Sequence, residues 1–408
     1  METPARLRLW TGLVIALAAT LMVSLALVMS QVREQVRVIG EEAAPRGVVA
    51  ADLYFALSDL DAQATRVLLA GDADENAGSR IDALGRYRER GRQVDADLRD
   101  LTATDSGVVV ELMDGLAVYR QLVGQAQIAS DRGYYTQATN VLHQRLLPAA
   151  ERLLDQSEED LDRAYEAKQQ TESTAAALLV LVGGALVVLL LAQQVWLARR
   201  FRRLLNPALL AATGIVMLLI GAATVVLDAQ QDRMAAARVE AVAPYLKLSR
   251  LRAVSYDAAA DTSRYVVSGN LAYYRDDFVA KSACLAGEAV CDFSSATGLA
   301  SLAGPEAFAR WQAYERGHAR IVALADQGRT AEAIGALTGI KRGDATFDFA
   351  YYDAAVAAVT WRQERDFDAA LRSAQTTLTG WVVLPLTGLA LVVALALSGV
   401  RRRLAEYR

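Results

Sequence analysis

The chain has 408 residues, 53% of them hydrophobic, and its 43 Lys and Arg nearly balance 47 Asp and Glu, for a formal net charge of -4. The basic residues cluster only beside long apolar runs, where membrane topology accounts for them, so nucleic acid is excluded as a partner. Two cysteines and two histidines leave no zinc-like grouping, and no cofactor is expected.

Residues 1–8 carry Arg6 and Arg8 ahead of an apolar run at 9–30. A cleaved signal peptide would have a similar basic start. This run is longer than the usual signal core of about 7–15 residues and has an internal counterpart, so it reads as a retained span. A long polar segment follows at 31–174, then a second apolar run at 175–198, a basic turn at 199–206 and a third run at 207–228. At a rise of about 1.5 Å per residue each run can cross a hydrocarbon core of about 30 Å. A second polar segment at 229–379, a fourth apolar run at 380–400 and a basic tail at 401–408 complete the chain.

Arginines crowd the start, the turn and the tail, whereas the long polar segments are acidic. The positive-inside rule therefore predicts a multi-pass plasma-membrane protein with four spans, both termini and the turn cytoplasmic, and both long segments outside. Gly183, Gly184, Gly214, Gly221, Pro385 and Gly388 interrupt the spans, and such small residues let membrane helices approach closely.

The polar segments carry a helical period. Val32, Val36, Ile39, Ala43, Arg46, Ala50, Leu53, Leu57, Leu60, Ala64 and Val67 form one seam, which predicts that the first span continues outward as a helix. Pro45 should bend it. Helices are expected next at 77–102, through Leu112 to Ala126, and from Leu146 into the second span. A shift near 198 residues superimposes Thr65-Arg66 to Asp72 on Ser263-Arg264 to Asn270, and Pro45 on Pro244. The fold class is thus all-α, with two tandem extracytoplasmic four-helix bundles produced by internal duplication. In the second copy the helices are interrupted near Cys284 to Cys291 and at Gly339 to Gly343. Cys284 and Cys291, in an oxidising compartment, are expected to form a disulfide.

No catalytic grouping is present, so the protein is not expected to be an enzyme. The runs at Asp72 to Glu75 and Glu158 to Asp160 lack the spacing of a calcium loop. His143 and His318 read as ordinary helix residues. Arg66, Asp72, Arg132, Tyr134, Arg264, Tyr273 and Tyr274 are candidate tip contacts for a ligand or partner, although Arg66 and Arg264 fit bundle salt bridges equally well. Arg199, Arg200, Phe201, Arg202 and Arg203, with Arg401, Arg402 and Arg403, are candidates for cytoplasmic docking. Phe201 stands out because an aromatic side chain adds nothing to the positive-inside signal.

An outer bundle bracketed by two spans resembles the sensors of bacterial chemoreceptors and histidine kinases, as does the pattern Gly133 to Ala138 and Gly328 to Ala333. Four spans, tandem bundles and minimal cytoplasmic turns are similar to the actinobacterial GlnX-type membrane proteins. That resemblance implies a transmembrane signal relay that couples an extracytoplasmic solute-binding lipoprotein, sensing amino acids, to a cytoplasmic Ser/Thr protein kinase. A direct small-ligand membrane receptor and a structural scaffold are the alternatives.

Overall fold

The computed structural model describes residues 3–71, 77–102, 106–129, 131–201, 206–289, 297–379 and 383–404. Among the described residues the chain is all-helical, without strands. The helices of the first half are α1 (Thr3–Arg37), α2 (Ala44–Ala70), α3 (Ala77–Leu101), α4 (Ser106–Ala129), α5 (Arg132–Val141) and α6 (Leu147–Phe201). Those of the second are α7 (Pro207–Ala237), α8 (Ala243–Val267), α9 (Ala272–Ala286), α10 (Leu299–Leu302), α11 (Pro305–Asp326), α12 (Thr330–Thr338), α13 (Ala345–Thr379) and α14 (Val383–Leu404). They sort into an apolar unit, Met1–Glu42, Asp162–Arg238 and Asp368–Arg408, and a polar unit, Ala43–Leu161 and Val239–Phe367.

Three helical stretches are long and apolar enough to cross a membrane. Each has an apolar seam buried within the unit, for example Val14, Ala18, Leu21 and Leu25 on α1 and Leu209, Ala212 and Val216 on α7. Large apolar side chains also point outward, with Leu181 70% and Leu218 71% exposed. A helix that is apolar on both faces has no stable place in water and fits lipid. A fourth apolar helix is shorter among the described residues, Val383–Gly399. Gly183 and Gly388 do serve close packing: a Cβ on either would stand 2.6 Å from Ile220 and 2.8 Å from Leu219, respectively. Gly184, Gly214 and Gly221 have open space instead.

The prolines act differently from a simple bend. Pro45, Pro148 and Pro244 each follow a π-helical segment by two residues, at Val38–Ala43, Leu142–Leu146 and Arg238–Val242. Proline has no N–H for the carbonyl four residues back, and the wider turn absorbs the misfit.

In the polar unit the two long segments, expected as tandem bundles, pack as one body around α2 and α8. The heptad seam on α2 describes only part of this packing. From Phe55 to Thr65 the helix is buried all round, and so is α8 from Ser255 to Val267, because each covers the face that a lone bundle would leave to water. Around this pair stands an aromatic core in which Trp311, Tyr314, Phe349 and Tyr352 are fully or almost fully buried. Gly269, at φ +76°, ends α8 in the left-handed region that a side chain disfavours.

Candidate functional site

Burying α2 and α8 against each other places charged residues in the centre of the polar unit. Arg264 on α8 is 1% exposed, and Asp61 on α2 and Asp261 on α8 are 0% exposed. The Arg264 guanidinium donates to Asp61 at 2.6 Å, Asp261 at 2.6 Å and Asp257 at 3.0 Å. Asp61 also accepts from the hydroxyls of Tyr119 on α4, at 2.9 Å, and Tyr135 on α5, at 3.0 Å. Lys281 on α9 completes the cluster at 2.5 Å from both Asp257 and Asp261 and 2.7 Å from Asp277. A charge taken out of water is tolerated only when paired and hydrogen-bonded in this way.

The two α8 carboxylates titrate apart because they share the same cations. Burial alone would raise Asp257, but Lys281, Arg264 and His143 outweigh it and hold the group well below the usual range. Burial lifts Asp261 to about 6 against the pull of Lys281 and Arg264. One acid down and one up is the pattern of carboxylates crowded into one site.

His143 lies in the π segment between α5 and α6. Its Nδ1 is 2.9 Å from the Thr139 carbonyl and its Nε2 is 3.2 Å from Asp257. Both neighbours are acceptors, so the protonated ring satisfies both. Burial opposes that charge, yet Asp257 prevails over it and over Arg264 and Lys281, raising the ring above its ordinary 6.5. A raised pKa stabilises the fold fully below the unfolded value and loses that contribution as pH rises through the folded one. Asp261, Asp52 and Asp97, lifted by burial to about 6, about 6 and about 7, act with the same sign at lower pH. Melting temperature should therefore fall as pH rises above about 6.5, and thermal scans of His143→Gln should show a shallower fall there.

The other candidates disperse. Arg264, considered as a tip contact, is instead the internal cation that ties α8 to α2. Arg66 is half-buried on α2 and close enough to Tyr314 to bear on its hydroxyl. Arg132 is exposed and lines a cavity of about 300 Å³ together with Tyr135. Tyr134 packs against the same small cluster of Ala126, Tyr135 and Val267. Tyr273 is 63% exposed and meets Tyr274 edge to face at 5.3 Å. Arg199 is exposed near the end of α6. The backbone of Arg200, Phe201 and Arg401 to Arg403 is helical, but their side chains, and all of Asp72, Arg202, Arg203 and Cys291, lie outside the described residues. Cys284 is buried and disulfide-bonded.

The sequence reading missed Asp61, Asp257, Asp261, Lys281, Tyr119, Tyr135 and His143. A signal existed in Asp59-Leu60-Asp61 and Asp257 to Asp261, acidic residues in the middle of apolar helices rather than at their ends. His318, by contrast, is an ordinary buried ring, stacked 3.5 Å from Phe278 and lowered by burial to about 4.

No curated protein and no solved structure matches the chain. Residues 35–166, which contain Asp61, Tyr119, Tyr135 and His143, match the family model of the actinobacterial sensor domain, which supports a sensing role.

Proposed function

We propose that the chain is a transmembrane signal relay with no catalytic activity of its own, whose polar unit senses an extracytoplasmic event. The observation that carries this reading is the sensor-domain match at 35–166, because α6 begins inside that stretch and runs unbroken to Phe201 as a membrane-length apolar helix. α14 serves as the fourth span, and the arginine-rich turn and tail face the cytoplasm. Duplication of one span-bundle-span unit is favoured by like residues in like settings. Pro45 and Pro244 both follow π segments, Ala138 and Ala333 are both fully buried, and the buried Tyr119 and Tyr314 hydroxyls reach α2 and α8, respectively.

The GlnX-type resemblance supplies the partners: a solute-binding lipoprotein for amino acids outside and a Ser/Thr protein kinase inside. Phe201, between paired arginines, is the proposed kinase anchor. Cross-linking in intact membranes should recover both partners from the wild-type chain. Phe201→Ala should keep membrane level and orientation while losing most of the kinase. Kinase recovery unchanged in Phe201→Ala, and also in a chain truncated after Arg403, would overturn the docking assignment and favour a scaffold.

A further inference from the structure

We propose that His143 makes the polar unit a sensor of extracytoplasmic acidity, with the proton itself as the ligand: the protonated ring latches the start of α6 onto α8, and its deprotonation releases that latch. The setting of the ring carries this. Thr139 presents a carbonyl to Nδ1 at 2.9 Å, and Asp257 presents a carboxylate oxygen to Nε2 at 3.2 Å. A neutral imidazole has one N–H and one lone pair, so it must turn the lone pair on one of these acceptors, and only the protonated ring donates to both. The side chain is 28% exposed, which gives protons of the medium a path to it. His318, the other histidine, is buried and kept neutral by a pKa lowered to about 4.

Loss of the proton also upsets the charge around the ring. Asp257 and Arg264 on α8 and Lys281 on α9 face it, and Lys281 bonds Asp261 and Asp277 as well. On α2, Tyr54 is buried near the same Asp257, and burial raises its hydroxyl, so it stays un-ionised. α4 meets the π segment through Gly115, where a Cβ would stand 2.9 Å from Leu146. With His143 charged, three cations answer Asp61, Asp257, Asp261 and Asp277; with it neutral, Arg264 and Lys281 are left to hold these four carboxylates. Buried charge left without its counter-charge is unfavourable, so the contact between the π segment and α8 loosens. The ring sits in Leu142–Leu146, a π segment of the kind that recurs at functional sites, and α6 runs from its end unbroken to Phe201. A change at this point is therefore made at the head of a helix that enters the membrane. This step deepens the sensing reading and rests on it for its consequence, while the latch itself can be measured without any partner protein.

The test is a distance measurement by pulsed electron spin resonance on the full chain in lipid nanodiscs, with spin labels on Gln144→Cys in the π segment and Ala280→Cys on α9. Both positions are exposed, and Cys284 is disulfide-bonded and does not compete for label. Between about pH 5.5 and about pH 8.5 the distance should lengthen by about 2 Å, the scale of helix shifts in switching proteins. His143→Gln, which keeps a donor for Asp257 but takes up no proton, should show one distance at both pH values. His143→Lys, which stays charged throughout, should hold the short distance at both. A wild-type distance indifferent to pH would overturn the latch. A shift as large as that of wild type in either variant would assign the change to another group, such as Asp97 at about 7, and overturn the role of His143. Kinase recovery indifferent to pH, with the distance change intact, would count against the relay alone, so the two readings fail separately.

Discussion

Arg264→Met should lower the melting temperature of the full chain by roughly 10 °C, equivalent to a loss of about 3–5 kcal/mol. The substitution keeps most of the side-chain volume, so the loss comes from charge. Asp61, Asp257 and Asp261 lose their shared cation, while Lys281, 16% exposed, still pairs with both α8 carboxylates and His143 with Asp257. Among the described residues Asp61 has no such second cation; its carboxylate keeps only the Tyr119 and Tyr135 hydroxyls. Asp61→Asn should destabilise in the same direction but less, because the amide oxygen still accepts one of those hydroxyls. Thermal unfolding followed by circular dichroism measures both. A melting temperature unchanged in Arg264→Met would show that the pair contributes nothing net.

Trp311→Ala should cost a similar amount, about 3–5 kcal/mol, for a different reason. Trp311 is fully buried on α11, its Nε1 donates to the Ser282 hydroxyl at 3.0 Å, and its ring meets Tyr314 and Tyr352, each at 5.2 Å. Truncation leaves a cavity that these rigid rings cannot close. Trp311→Phe keeps much of the packing and loses the donor, so it should cost about 1 kcal/mol. Equal losses in the two variants would mean that the hydrogen bond, not the ring, holds this core.

Helix existence was legible from period alone. The expected helix at 77–102 matches α3, and the interruptions near Cys284 and at Gly339 to Gly343 separate α9 from α10 and α12 from α13. A period reports one element against its surroundings without saying what covers the opposite face. Asp59, Asp61, Gln63 and Thr65 lie off the apolar seam of α2, yet all are buried, Asp61 against Arg264 and Thr65 against Tyr135. Arg264 is 203 residues from Asp61, and His143 is 114 from Asp257, separations that no local pattern encodes. The prolines were visible in the sequence, but the π segments before them were not, because several backbone adjustments can absorb a missing N–H.

If the two long segments form one cooperative body through the Asp61–Arg264 contact, an event on one is felt by the other. Hydrogen exchange on the full chain in nanodiscs tests this most directly, comparing wild type with Asp61→Asn. The account predicts faster exchange not only in α2, which carries the substitution, but to a similar degree in α8 from Ala253 to Val267. Faster exchange confined to α2, with α8 as protected as in wild type, would contradict it.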